Sequence, residues 1–171
     1  MSSGSNYLDP DRPGAVRLSV GEARALGEAA LARIGYDADD AGIITDQLID
    51  NALCGYRFAG LPRILAIARE AKTRDTRASV TVAHETPVSA LVDGGNNVGY
   101  VAVYRGAEIA IAKAKQTGIA AVSIYNSYFS GATPTTSNIS SMPGLSACIP
   151  PAARRTSCRP AQPARLWAPI R

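Results

Sequence analysis

Residues 91–131 read LVDGGNNVGYVAVYRGAEIAIAKAKQTGIAAVSIYNSYFSG, a strand, a turn, a helix, a second strand and a loop in succession. The β-branched run from Val88 to Val92 has strand character. Asp93-Gly94-Gly95-Asn96-Asn97 after it predicts a turn, because Gly and Asn tolerate positive φ. From Val98 to Thr117, the residues Val98, Val101, Ala102, Ile109 and Ala112 recur at roughly helical spacing, and Gly118 supplies a stop. Lys113 and Lys115 suit the negative end of that helix's dipole better than they suit a ligand site. Ile119 to Tyr125 is so continuously apolar that it predicts a strand buried on both faces.

Working back from this unit, the chain is helical. Ser19 and Glu22 form a capping box, followed by Ala23, Leu26, Ala30, Leu31 and Ile34 before Gly35. Asp37 caps a second helix whose apolar face is Ile43, Ile44, Leu48, Ala52 and Leu53. With only a short turn between them, the two helices should pair antiparallel. Gly60-Leu61-Pro62 opens a third helix, with Ile64, Leu65 and Ala68 on its buried side. Val80-Thr81-Val82 is a short strand, and Thr86-Pro87 breaks it from the next. The expected class is α/β, an amino-terminal helical hairpin packed on a mixed sheet. Residues 1–17, rich in Ser, Gly, Pro and charge, read as a flexible lead-in.

The chain has 171 residues, 46% of them hydrophobic and 19% charged, enough for one domain with a core. The polar start, MSSGSNYLDPDRPG, is unlike a signal peptide, and no run approaches the ~20 apolar residues of a membrane span. A cytoplasmic location is the resulting expectation. Cys54, Cys148 and Cys158 have no metal-ligand spacing and are odd in number, which predicts reduced thiols and no metal site. The net charge of +4 is unevenly placed: all 14 acids and 13 of the 18 basic residues precede Ala132, while five arginines follow it. Nucleic-acid binding through the folded part is therefore disfavoured, and binding through the arginines of the tail is a lesser alternative.

ETP, then ALVDGGNNVG, then an alanine-rich helix, then GIAAVSIYNS resembles the type 2 malate/L-lactate dehydrogenase family from about Leu18 to Gly131. The resemblance implies a non-Rossmann fold and an NAD- or NADP-dependent reductase acting on a small-molecule 2-oxoacid or related imine, with homodimers among intact relatives. The family's substrate segment reads G-H-x-S-H-G-x-x-R. Here Gly55-Tyr56-Arg57-Phe58-Ala59-Gly60-Leu61-Pro62-Arg63 keeps both glycines and the arginine and loses both histidines, including the family's proton donor. Arg63 is the expected carboxylate fork. Tyr56 is the remaining candidate proton donor, although a phenol of pKa about 10 needs tuning for that work. The family's second segment, N-S-N-H-F-G, faces nicotinamide and substrate. Asn126, Ser127 and Gly131 match it, while Tyr128, Phe129 and Ser130 do not. His84, the lone histidine, reads as a surface residue. Gly94 to Gly99 lacks both the dinucleotide spacing and a phosphate-loop lysine.

Residues 132–171 hold seven of the eleven prolines and show no apolar periodicity, so as written they read as a disordered basic tail. A lost base after codon 131 explains them differently. Serine codons of the TCN type would become NTC, always hydrophobic, and Ser137, Ser140, Ser141, Leu145 and Ser146 would then place hydrophobic residues at helical spacing. The expectation is an amino-terminal piece of a dehydrogenase domain, 18–131, carrying an out-of-frame tail. AGY serine codons in the gene would exclude it. An alternative use of residues 18–131 is a non-catalytic dimerisation module.

Overall fold

The computed structural model describes residues 16–73 and 76–129. Most of the lead-in, Gly131 and the whole tail 132–171 lie outside the described residues. The first helix, α1 (Val20–Arg33), begins with the expected capping box: the Ser19 hydroxyl accepts from Glu22 N–H at 3.2 Å, and Ser19 N–H donates to the Glu22 carboxylate at 2.8 Å. Helix α2 (Ala38–Leu53) is capped by Asp37, whose carboxylate accepts from Asp40 N–H at 2.8 Å. Both helices end in the same way. Gly35 and Gly55 take φ of 88° and 89°, and the following Tyr36 and Tyr56 N–H groups reach back to the carbonyls of Leu31 and Asn51. The helices pair closely because Gly27 has no side chain; a Cβ there would lie 2.8 Å from Thr45 Cγ2.

A single 3-10 turn (Arg57–Ala59) leads into α3 (Arg63–Thr73). An extended segment then enters β1 (Thr81–Thr86), which turns at Pro87-Val88 into antiparallel β2 (Ser89–Val98). Helix α4 (Gly99–Thr117) ends at Gly118, φ 81°, and returns the chain to β3 (Ala121–Tyr128), parallel to β2. The sheet order is β1-β2-β3, so it is mixed. Lys113 ties α4 to the β1-β2 turn, donating to the Thr86 carbonyl at 2.7 Å and pairing with Glu85 at 3.0 Å. The core joins Leu31, Ile44 and Leu48 of the hairpin to Ile67 of α3 and to Val98 and Val101 at the start of α4. The hairpin thus meets the sheet layer through α4 and the carboxyl ends of β2 and β3. No described helix is long and apolar enough to cross a membrane.

Two expectations about the central unit are corrected. Residues 93–97 do not end the strand: β2 runs through them to Val98. Gly95 and Asn96 do take positive φ, 60° and 56°, but they spend it on a kink that interrupts pairing with β3 between Asp93 and Asn97. Nor is β3 buried on both faces. Val122 and Ile124 are partly buried beneath α4, where Gly106 leaves room for Ile124, while Ala121, Ser123 and Tyr125 are exposed on the uncovered side. Among the helices, Leu26, Leu53 and Leu65 are exposed although periodicity places them on apolar faces, and the polar Thr45, Gln47 and Asn51 of α2 are buried instead. His84 is exposed on β1, as expected.

Candidate functional site

The Gly55–Arg63 segment is shaped by main-chain needs before any chemistry. Gly55 closes α2 in the left-handed region, and buried Asn51 donates its side-chain amide to the Ala59 carbonyl at 3.3 Å while accepting from Gln47 at 3.1 Å. Arg63 N–H closes a turn onto the Gly60 carbonyl at 2.9 Å. Arg63, the first residue of α3, therefore points at the carboxyl end of β3, where its guanidinium lies 4.4 Å from the centre of the Phe129 ring. Its Nε is buried and has no hydrogen-bond partner, and the same holds for the hydroxyl of Tyr100, in the first turn of α4. Burial pushes the Tyr100 phenol up, and Arg63 opposes that rise through its charge and through the approach of its side chain to the hydroxyl.

Tyr56 is placed differently. It is 49% exposed and its ring meets Phe58 edge-on at 6.4 Å, so it sits on the rim with another exposed aromatic.

Asn126 and Ser127 lie near the end of β3, three and two residues before Phe129, both exposed. Asn126 adopts φ 53°, and its side-chain amide donates to Asp93 at 2.8 Å. The Asp93 carboxylate also accepts from Gly95 N–H at 2.8 Å. These two bonds, with a smaller contribution from Tyr125, hold the carboxyl below its ordinary range, while the same contact raises the Tyr125 phenol. Gly94 lets the strands approach, since a Cβ there would lie 2.9 Å from both the Asn126 carbonyl oxygen and Ser127 Cβ. A cleft of about 430 Å³ opens beside this clasp, with Thr76, Ser79, Thr81, Asn96 and Asn126 on its walls. A larger one, about 860 Å³, lies between the start of α2, α4 and residues 76–82, and contains neither Arg63 nor Tyr56.

A carboxyl depressed by folding stabilises fully above its unfolded pKa of about 4, and that contribution is lost as pH falls through the lower folded value. Glu22 is depressed by Ser19 in the same direction, so pH alone does not isolate Asp93. Thermal melts of wild type and Asp93→Asn between pH 7 and pH 2.5 should show a smaller acid-side loss in the variant. Parallel curves would mean that the clasp carries no pH-dependent stability.

The structure thus brings Arg63 to the end of the strand bearing Asn126 and Ser127, leaves Tyr56 on the rim, and adds Tyr100, Phe129 and Asp93, which the sequence reading did not assign to the site. Among the described residues no group of three His, Cys, Asp or Glu side chains is placed to hold a metal ion.

The profile of a family described as malate/L-lactate dehydrogenase matches residues 18–145. The malate/(S)-sulfolactate dehydrogenase of Methanothermus fervidus is 32% identical over 112 residues, 64% of this chain and 33% of that one. The (2R)-3-sulfolactate dehydrogenase (NADP(+)) of Chromohalobacter salexigens is 34% identical over 118 residues, 67% of this chain and 34% of its own. Among solved structures, malate dehydrogenase from Pyrococcus horikoshii superposes with a TM-score of 0.69 at 28% identity, over 73% of this chain and 36% of that one. The chain spans about a third of the length of the curated relatives it matches.

Proposed function

The chain belongs to the malate/L-lactate dehydrogenase family, and we propose that it forms the substrate-carboxylate side of a hydroxyacid oxidoreductase. In that reaction a hydride passes between NADH or NADPH and a 2-oxoacid or related imine. The observation that carries this reading is Arg63, stacked on Phe129 with a buried Nε that no protein acceptor satisfies. A guanidinium in that state seeks an acceptor-only planar group, which is what a carboxylate offers.

The small cleft beside Asn126 fits part of a nicotinamide cofactor. Its Thr, Ser and Asn walls suit uncharged hydroxyl and amide groups, with the Asp93 carboxylate alongside, and among the described residues no Lys or Arg lines it to meet a pyrophosphate. Asn126 and Ser127 would hold that end. Bound there, the cofactor would supply the hydride. Asp93 keeps the Asn126 amide fixed and Arg63 orients the acid. Gly131, the third residue matched to the cofactor segment, is proposed on the sequence alone.

With both family histidines replaced, by Tyr56 and Ala59, the proposal includes that residues 1–171 alone do not turn over. Tyr56, half-exposed and paired with Phe58, would have to supply the proton. Following NADH or NADPH absorbance with pyruvate, oxaloacetate or a cyclic imine should give background rates, and sustained oxidation would overturn this. The second reading, a non-catalytic dimerisation module, is favoured by the exposed Leu53, Phe58 and Leu65. Self-association without any cofactor binding would select it. The division into a domain piece at 18–131 and an out-of-frame tail is likewise a proposal, resting on the regrouped codons.

A further inference from the structure

We propose that Tyr100 is a second carboxylate-binding residue, its hydroxyl meeting one oxygen of a small organic acid while Arg63 meets the other. This deepens the reading of Arg63 and rests on it.

Tyr100 is 4% exposed, and its buried hydroxyl, which the Arg63 side chain approaches, completes no hydrogen bond. A buried hydroxyl with no hydrogen bond is costly to keep, so an acceptor brought to it by a ligand would be bound favourably. The Arg63 Nε beside it is in the same condition. Arg63 can only donate, and so whatever satisfies both groups together must accept. One guanidinium supplies one positive charge, which suits a carboxylate better than a dianion.

The main chain around Tyr100 points the same way. Val98, at the N-cap of α4, offers no side-chain cap to the first turn, and Gly99, Tyr100 and Val101 are all buried there. The start of a 19-residue helix is electropositive and favours an anion. Phe129 covers one face of the Arg63 guanidinium, leaving its donor edge for the ligand. Arg63 is only partly buried, so solvent reaches the pair from its side. Nothing in the sequence marks this role, since a Tyr following Gly99 reads as an ordinary helix residue.

The test uses the full 171-residue chain and pyruvate as the probe, with affinity measured by calorimetry and by the pyruvate-induced shift in melting temperature. Tyr100→Phe keeps the ring and its packing, so the unliganded variant should melt at or slightly above wild type. Its pyruvate affinity should fall about tenfold, the usual effect of deleting one hydrogen bond to a charged group. Arg63→Lys, which loses the planar fork, should also weaken binding. If Arg63→Lys weakens binding while Tyr100→Phe binds as wild type does, the role of Tyr100 is refuted and that of Arg63 stands. If wild type shows no binding at millimolar pyruvate, both are refuted.

Discussion

Gly95→Ala should be among the most damaging single substitutions in the chain, lowering stability by about 3 kcal/mol or more. The glycine sits at φ 60°, where any side chain costs about 1–2 kcal/mol. A Cβ there would also overlap the carbonyl of Ala78, which is backbone and cannot swing aside. That carbonyl is itself held: Asn97 donates to it at 2.7 Å, and Ala78 N–H donates back to the Gly95 carbonyl at 2.9 Å. The substitution therefore forces residues 76–80 off the β2 kink and opens both clefts they line. A urea titration followed by circular dichroism should show the midpoint falling sharply. A variant within 0.5 kcal/mol of wild type would mean that the Gly95–Ala78 contact is not formed.

The second large effect is expected at Leu48→Ala, with Leu53→Ala as its control. Both leucines lie on the apolar face that periodicity assigns to α2, yet Leu48 is 0% exposed and Leu53 69%. Truncating Leu48 removes contacts to a core built from six elements and should cost about 2–5 kcal/mol. Truncating Leu53 should stay within about 0.5 kcal/mol. Similar losses at both positions would show that Leu53 is covered in solution, as the dimerisation reading requires.

That contrast marks how far the sequence could be read. Caps and stops were legible because they depend on a few adjacent residues: Ser19 with Glu22, Asp37, and the glycines at 35 and 118 behave as their local chemistry dictates. The antiparallel hairpin and the strand-helix-strand order followed from the same signals. Burial depends on what covers an element from a distance, and there periodicity misled. Ile119 to Tyr125 is apolar enough for a central strand, yet α4 shields only one of its faces. The Asp93–Asn97 cluster announced positive φ correctly, but the same φ serves a turn or a kink, and only the pairing partner decides between them. At the site, Arg63 was found through its place in a motif. Tyr100 and Phe129 were missed because their role arises where the start of α4 and the end of β3 converge, thirty-seven and sixty-six positions along the chain from Arg63.

The half-covered β3 has a consequence for handling the protein. Among the described residues it is the last strand in the sheet order, so along its outer side the N–H and C=O groups of about every second residue of its eight face away from β2. Such a rim is a template onto which another extended peptide adds at little cost, and no proline or lysine between Ala121 and Tyr128 discourages it. Concentrated samples should accordingly be prone to growing cross-β assemblies from this border, and a charged residue at Ser123 is the simplest guard against them.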